Sequence, residues 1–267
     1  MLNRDPLKGL VGSTPTPSAV RIGVCDFCKK EFRKREQKYK FCSLKCANNF
    51  NLNGLKKVVP PKKSTDLAEF VGIMLGDGEL TRYQVKVSLN TLVDKEYIYY
   101  VSILMKRLFP GLEIKIRLRE NEGCTTIGMN SRIVADFLKQ MGITSWKPII
   151  PIWILEQNKY IAACIRGLID TEGCIGFKVY NGRNKNNIYR QLAFTSRNPV
   201  LLTFIRDGLS GLGLKCTQSL IKNIYLSNDK QIDQYRNLIG FHNPKLEQRS
   251  LIRDYLLYKS WRGARAV

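Results

Sequence analysis

Two short stretches of the chain repeat the same pattern of apolar and polar positions. Residues 70–78 read F-V-G-I-M-L-G-D-G, and residues 165–173 read I-R-G-L-I-D-T-E-G. The shared pattern predicts two mainly apolar helices, each closed by a glycine, that end in Asp77 and Glu172. The interval between these acids is the size of a small domain. We therefore expect a domain-sized repeat with paired acids at a pseudo-twofold axis.

Small residues lie four positions apart in both predicted helices: Gly72 and Gly76 in the first, and Gly167 and Thr171 in the second. Residues with this spacing share one helix face. Glycine inside a helix costs about 1 kcal/mol relative to Ala, so we expect a close contact between the two small-residue faces to compensate. Ser64, Thr65 or Asp66 would cap the first helix. Such packing would place Asp77 beside Glu172.

Two neighbouring carboxylates at helix C-termini repel each other and the negative end of the helix dipole. A hard divalent cation, Mg²⁺ or Mn²⁺, would offset this repulsion and takes oxygen ligands. Asp77 and Glu172 are the candidate ligands, and the carbonyl oxygens of Gly76 and Thr171 could join them. Metals held in this way suit phosphodiester hydrolysis. The alternative, a core helix ending in a solvated acid, would be favoured for either copy alone but not for two matched copies.

The charge of the chain narrows the class of partner. Its 267 residues include 44 Lys+Arg against 22 Asp+Glu, a net charge of +22. Such a field favours a polyanion, most simply nucleic acid; a ribosomal protein would also be basic but would not need the repeated acidic helix. No apolar run is long enough for a membrane span, and no signal-peptide core is present. We therefore expect an intracellular protein of a prokaryotic cytoplasm or an organelle, without a membrane partner.

Four of the eight cysteines are close together in sequence, namely Cys25, Cys28, Cys42 and Cys46. This spacing suits a closed tetrahedral Zn²⁺ site, and the alternative is free buried thiols. A module this small would depend on the metal for its folding energy. We expect an arm at 1–24, a zinc-finger module at 25–50 that resembles treble-clef fingers, and a basic linker at 51–65. The scattered cysteines are expected in the core: Cys124, Cys164, Cys174 and Cys216.

Alternating polar and apolar residues predict strands in both halves of the remaining chain. The first half has predicted strands at 84–90 and 113–119 and helices at 92–108 and 131–141. The second half repeats this order, with strands at 174–180, 188–196, 214–220 and 223–227, a polar turn at 181–187, and helices at 198–210, 229–239 and 245–260. In the strand 113–119 the apolar Ile114, Ile116 and Leu118 would cover helices, and the basic residues between them would face outward. A charged strand face is often merely solvated, but a two-stranded ribbon also fits the DNA major groove.

With these motifs, residues 66 to about 250 resemble the LAGLIDADG homing endonucleases in their single-chain, two-motif form. Further similarity lies at 141–154, which resembles the family's link into the second motif helix, and at 239–245, near the end of its second repeat. The resemblance implies an α+β fold of two pseudo-symmetric αββαββα repeats, 66–155 and 156–267, whose strands form a saddle over DNA. It also implies a monomer that cleaves both DNA strands and leaves short 3′ overhangs.

The resemblance assigns one catalytic acid to each DNA strand, Asp77 and Glu172, and gives Asp170 a structural role. Lys178 and Lys222 are candidates for stabilising charge or polarising water. The candidate DNA-binding residues are Gln84, Lys86, Ser88, Asn90, Lys115, Arg117, Arg119, Arg183, Lys185, Arg190 and Arg197.

Three other functions compete with an intron-encoded nuclease. An RNA maturase would bind intron RNA, and a transcription regulator would bind DNA without cutting it. An intein is less expected, because the chain has no terminal His-Asn and no N-terminal splicing block. The presence of both acids favours cleavage, since a pure binding protein has no need of them.

Overall fold

The computed structural model describes residues 21–34, 36, 38–53, 58–119, 122–144, 149–181, 186–219 and 222–252. It divides the chain into two compact units, Met1–Lys57 and Val58–Val267. The first unit contains an antiparallel hairpin, β1 (Ile22–Val24) and β2 (Glu31–Arg33), and a helix α1 (Leu44–Asn53). The hairpin begins inside the segment that was expected to be an arm, so the module extends further toward the N-terminus than 25–50.

The first repeat follows the predicted order of helix, two strands, helix, two strands and helix. Its elements are α2 (Thr65–Gly76), β3 (Gly78–Leu80), β4 (Gln84–Asn90), α3 (Lys95–Leu108), β5 (Lys115–Arg119), β6 (Cys124–Asn130) and α4 (Arg132–Gln140). The four strands form an antiparallel sheet in the order β3-β4-β6-β5. Ser64 begins α2, since its hydroxyl accepts a hydrogen bond from the Leu67 N–H at 3.1 Å, as one of the cap predictions required.

The second repeat has the same order after a short additional helix. Its elements are α5 (Ile152–Leu155), α6 (Asn158–Glu172), β7 (Gly173–Asn181), β8 (Asn186–Thr195), α7 (Pro199–Gly211), β9 (Thr217–Ser219), β10 (Asn223–Ser227), α8 (Asp229–Leu238) and α9 (Pro244–Leu251). The strands form a second antiparallel sheet in the order β7-β8-β10-β9. The C-terminal helix predicted over 245–260 is seen as α9, and residues 253–260 lie outside the described part of the chain.

The motif helices α2 and α6 pack directly against each other through their small residues. A Cβ atom added to Gly72 would collide with the carbonyl oxygen of Cys164, and one added to Gly167 would collide with that of Glu69. The backbones therefore approach as closely as the sequence predicted. The two helices lie within one continuous apolar core that also covers one face of each sheet.

The sheets have the expected alternation, except on the edge strand β5. In β4, Val85, Val87 and Leu89 are buried, whereas Ile116 and Leu118 of β5 are 51% and 54% exposed. The prediction that these two side chains cover helices is wrong, because β5 pairs on only one side and lies at the margin of the core. In the part of the chain that the structure describes, no helix combines the length and the apolar character that crossing a membrane requires.

Candidate active site and nucleic-acid interface

The two motif acids lie at the adjoining ends of α2 and α6. Asp77 directly follows α2, and its N–H donates to the Ile73 carbonyl at 3.1 Å. Glu172 is the last residue of α6. A Cβ atom added to Gly76 would collide with the hydroxyl of Thr171 and would lie 3.3 Å from Cγ of Glu172. The small-residue contact therefore brings the two acidic chain segments side by side.

The surroundings of Asp77 disfavour its negative charge. Burial, reinforced by the charges of Glu172 and Asp94 and opposed by Lys245, raises the pKa of Asp77 to about 7. Burial also raises the pKa of Glu172. Two carboxyl groups with these neighbours form a donor set that a hard divalent cation would stabilise, so the residues present fit Mg²⁺ or Mn²⁺. Participation of the Gly76 and Thr171 carbonyls stays a prediction.

The two lysines predicted to be catalytic, Lys178 and Lys222, lie at different distances from Glu172 along the second sheet. Lys222 lies at the Glu172 end of its sheet, because its carbonyl accepts a hydrogen bond from the Ser196 N–H at 3.0 Å, just beyond the pair Gly173↔Phe194. Lys178 instead pairs with Tyr189, about 17 Å along the strand from Gly173 at the usual rise per residue. Lys178 therefore lies on the strand surface farther from the Glu172 end of the sheet than Lys222 does, and a catalytic role for it stays a prediction.

The open face of the first sheet carries most of the predicted DNA-binding side chains. Gln84, Lys86, Lys115, Arg117 and Arg119 line one concave pocket on this face. Ser88 lies on the same open face, because it pairs with Thr126, which lines the pocket. Asn90 is partly committed elsewhere, because its side-chain oxygen accepts hydrogen bonds from the N–H groups of Leu92 and Val93 at 3.0 and 2.9 Å.

Arg190 is the clear error among the predicted DNA-binding residues. Its side chain is fully buried and forms ion pairs with Asp229 at 2.5 Å and Asp233 at 3.2 Å. It shares the covered face of β8 with Leu192 and Phe194, because every second residue of a strand lies on the same face, and it is therefore not on the open face. Arg197 is exposed just after β8, whereas Arg183 and Lys185 lie outside the described residues.

Several polar side chains on the open face of the second sheet were not anticipated. Gln191 donates to the Ser227 hydroxyl at 2.9 Å, and the Thr195 hydroxyl donates to the Asn223 side chain at 2.8 Å. These residues alternate with the buried Leu192 and Phe194. The apolar neighbours were the sequence signal that could have found them.

A buried polar network joins the motif helices to the segment after α8. The carboxylate of Glu69 accepts hydrogen bonds from Arg166 at 2.6 Å, from the Tyr100 hydroxyl at 2.7 Å and from His242 at 2.7 Å. Burial alone would raise the pKa of Glu69, but the hydrogen bonds from His242 and Arg166 outweigh it and hold the pKa below its ordinary value. Asp170 accepts from the His242 N–H at 2.8 Å, in agreement with a structural role. No sequence pattern indicated this network.

The four clustered cysteines of the first unit meet at one point. Their sulfur atoms all lie within 4.8 Å of one another, with Cys42 at 3.6 Å from Cys28 and 3.4 Å from Cys46. A tetrahedral zinc site places its sulfurs about 3.8 Å apart. Burial raises the pKa of Cys25, but backbone N–H groups of Cys28, Cys42 and Phe27 outweigh it and lower the pKa to about 6. The arrangement fits Zn²⁺. Of the scattered cysteines, Cys164 is buried, whereas Cys174 is exposed, contrary to expectation.

No protein-family model matches the chain. Among curated proteins it is similar to the reverse gyrase of Methanocaldococcus jannaschii, with 24% identity over 208 residues. The similarity covers 77% of this chain, which spans only about 12% of the length of that relative.

Among solved structures the chain is similar to variants of the homing endonuclease I-DmoI, with 16% identity, TM-score 0.47 and coverage of 66% of this chain and 95% of that one. It is also similar to the LAGLIDADG meganuclease I-AabMI bound to uncleaved DNA, with 9% identity, TM-score 0.48 and coverage of 74% and 91%. A third similarity is to DUF199/WhiA from Thermatoga maritima, with 17% identity, TM-score 0.46 and coverage of 77% and 68%. All three TM-scores are below 0.5.

Proposed function

We propose that this protein is a site-specific, metal-dependent endonuclease that cleaves double-stranded DNA and is encoded within an intron. The observation that carries the proposal is the pairing of Asp77 and Glu172 at the ends of two closely packed helices. Basic strand faces accompany this pair, as the open face around Lys115, Arg117 and Arg119 illustrates. Paired acids next to a surface for a polyanion suit hydrolysis of a phosphodiester.

Each acid serves one DNA strand, and the chain supplies binding and charge around it. Asp77 and Glu172 would hold Mg²⁺ or Mn²⁺, which when bound activates water and stabilises the leaving oxygen. Lys222, whose backbone lies at the Glu172 end of its sheet, would neutralise a phosphate on that side. The outward side chains of β4 and β5 hold the duplex in register, by phosphate contacts that position it and by base-edge contacts that select the site.

A protein that only binds DNA, or that assists RNA splicing, would have no use for this acid pair. Holding Asp77 in surroundings that raise its pKa to about 7 costs folding free energy. Such a cost is ordinarily retained where perturbed groups perform chemistry. The buried acids therefore favour cleavage over binding alone.

The decisive experiment compares cleavage and binding in matched variants. Purified protein is incubated with Mg²⁺ and a duplex that spans the host-gene junction without the intron. Asp77→Asn and Glu172→Gln should each leave a nicked product, and the double variant should not cut. DNA affinity should be largely retained, because phosphate contacts supply much of it. Full cleavage by the double variant would exclude these residues as the catalytic acids, and splicing of intron RNA without DNA cleavage would favour the maturase.

A further inference from the structure

A concave pocket lies in the first unit of the protein and is separate from the site of the paired acids. Its volume is about 500 Å³, within the range that small-molecule sites occupy. Phe32 and Arg33 of β2 line one part of it, and the segment 38–44 and Ala47 of α1 line the rest. The pocket adjoins the candidate zinc site, because Cys42 belongs to this segment.

The loop that carries most of the lining residues is held by hydrogen bonds. The Lys40 carbonyl accepts from the Asp26 N–H at 3.0 Å. The Ser43 hydroxyl accepts from the Cys46 N–H at 3.2 Å and so caps α1. Cys42 and Cys46, on the two sides of this cap, belong to the candidate zinc site. The loop is therefore fixed to the folded module, and the pocket is formed before any ligand binds.

The pocket offers apolar and aromatic surface to another molecule. Tyr39 is 44% exposed, and Phe32 is half-buried in the hairpin. Leu44, at the start of α1, also lines the pocket and is 83% exposed. Exposed apolar side chains that are grouped around a concavity mark a contact site.

The charge around this pocket is strongly basic. Residues 21–53 include nine basic residues against three acidic ones. Arg33, Lys38 and Lys40 line the pocket and are exposed, and no acidic residue lines it within the described part of the chain. Lys38 pairs with Glu36 at 2.8 Å, but both side chains are well exposed, so this pair contributes little and can exchange for a phosphate. The pocket therefore fits an anion that also has an apolar face.

An aromatic ring among several cations matches the chemistry of an unpaired nucleotide. Single-stranded nucleic acid is bound by aromatic rings on which its bases stack and by cations that follow its phosphates. In a duplex the bases are already stacked on one another, so a ring in a pocket gains no contact with their faces. An acidic peptide would use the cations but would leave the ring without a stacking partner.

We propose that this pocket binds an unpaired nucleotide of single-stranded DNA, with the base stacked on Tyr39. The phosphates of the strand lie against the three cations of the pocket, Arg33, Lys38 and Lys40. This binding goes beyond the cleavage of duplex DNA, and it differs from a contact of the module with duplex. Only the choice of DNA over RNA rests on the proposed function, because DNA is the substrate proposed there.

The test measures binding of a short, fluorescently labelled thymidine single strand to the full-length protein by fluorescence anisotropy. Unlabelled random-sequence duplex in excess occupies the other basic surfaces, and no Mg²⁺ is added, so that cleavage does not interfere. Tyr39→Ala should weaken binding about fivefold or more, because stacking of a base on an aromatic ring contributes at least this factor. The matched control is Tyr99→Ala, which removes an exposed ring of α3 and should leave the affinity unchanged.

Two further variants separate stacking from a general loss of structure. Tyr39→Phe keeps the ring and should keep the affinity, whereas Tyr39→Leu keeps an apolar side chain without a ring and should lose it. A probe that contains 2-aminopurine should be quenched by the parent and by Tyr39→Phe but not by Tyr39→Leu, because stacking quenches this base. If Tyr39→Ala had lost its zinc, the comparison of Tyr39→Phe with Tyr39→Leu would decide.

Unchanged affinity in both Tyr39→Ala and Tyr39→Leu would overturn the inference. Displacement of the probe by more unlabelled duplex, or by an oligoglutamate as effectively as by unlabelled single strand, would also overturn it, because the site would then not select unpaired bases. Tighter binding of a uridine strand would overturn the choice of DNA. Because the assay contains no cleavage step, a failure of the proposed nuclease function would be seen separately.

Discussion

The guanidinium of Arg166 and the carboxylate of Glu69 form a buried ion pair between α6 and α2, with an N···O distance of 2.6 Å. In the alignment of the two motifs, the positions equivalent to these residues are Val71 and Cys164, both buried and without charge. The pair therefore lies on one side of the pseudo-twofold axis. It gives the interface of the two repeats a buried polar contact within a largely apolar helix pair.

Arg166→Met should destabilise the protein strongly, because it leaves Glu69 buried and without its main cation. Breaking one partner of a buried pair typically costs about 3–5 kcal/mol. The control is Arg132→Met, which breaks an exposed pair with Asp136 and should cost at most about 1 kcal/mol. Urea unfolding of both variants gives the comparison. Similar losses in the two variants would show that the Glu69 pair has no special importance.

The glycines in the motif helices give a second stability prediction. Gly167→Ala would push a methyl group into the Glu69 carbonyl, and overpacking of this kind typically costs about 1–3 kcal/mol or more. Gly211→Ala is the control, since a Cβ at Gly211 would meet no atom within 4 Å. That change should be neutral or stabilising by up to about 1 kcal/mol, because alanine favours helix. Thermal melting that ranked the two variants the other way would contradict the close contact between α2 and α6 at Gly167.

These helix features were predictable because each is encoded by residues close together in sequence. The small-residue spacing, the Ser64 cap and the cysteine cluster all fall into this class. Interactions between distant segments were not predictable where the two segments carry no matching local pattern. Asp94 and Lys245 meet only because α9 follows a turn that reaches back to the first repeat, and nothing in either local pattern indicates the other residue.

The error at Arg190 has a different cause. Arg190 was assigned to the open face because it is basic. Leu192 and Phe194, two and four residues further along the strand, are apolar and buried, and they place Arg190 on the covered face with them. The position of β5 at the edge of its sheet could not be predicted from the alternating sequence pattern, because this pattern does not show whether a strand pairs on one side or on both.

Asp77 should make stability depend on pH in the absence of divalent metal. Its pKa is about 7 in the folded protein and 3.8 as the reference value for an unfolded chain. Between these values the unfolded state releases its proton first, so stability falls as pH rises, and the full penalty is present above about pH 7. Asp77→Asn should therefore melt at a higher temperature than the parent at pH 8 in a chelator. The difference should vanish below about pH 3, where Asp77 is protonated in both the folded and the unfolded state.

Mg²⁺ provides the check on that prediction. It should raise the melting temperature of the parent protein at pH 8, because a cation bound only to the folded state stabilises it. Asp77→Asn should respond much less. If Mg²⁺ raised both melting temperatures equally, or if the difference in melting temperature between the two proteins did not change with pH, Asp77 would not be a ligand of the metal.

The open face of the first sheet should determine how DNA affinity varies with salt. Each phosphate contact contributes about −0.9 to the slope of log K against log salt concentration. Replacing Lys115, Arg117 and Arg119 together by Ala should make this slope shallower and weaken selectivity for the target. Replacing Lys95, Lys106 and Lys139, which are exposed on helices, removes the same charge from other surfaces. Filter binding over a salt series distinguishes the two triple variants.

Arg190→Met tests the corrected assignment in the same assay. It should lower the unfolding free energy, since Asp229 and Asp233 lose their buried partner. The salt slope of the folded variant should match that of the parent. A slope as shallow as that of the variant with Lys115, Arg117 and Arg119 replaced by Ala would show that Arg190 does contact DNA.

Removal of zinc should affect the first unit of the protein and spare the second. The described residues of the first unit form only a short hairpin and α1 around Cys25, Cys28, Cys42 and Cys46. A module of this size lacks a core, so we expect it to unfold when the metal is removed. The unit 58–267 has its own apolar core and contains none of these cysteines. Metal analysis of protein purified without chelator should find one zinc per chain, and Cys42→Ser should lose it.

The basic residues of the module give this prediction a functional readout. Exposed Lys29, Lys30 and Lys40 surround the cysteine site, which suits additional contact with DNA outside the region held by the sheets. Deleting residues 1–60 should therefore shorten the footprint on DNA, while Mg²⁺-dependent cutting persists at high protein concentration. Cys124→Ser, at a cysteine outside the cluster, is the matched control and should keep both zinc and the full footprint. A truncated protein whose footprint equals that of the full chain would rule out this role for the module.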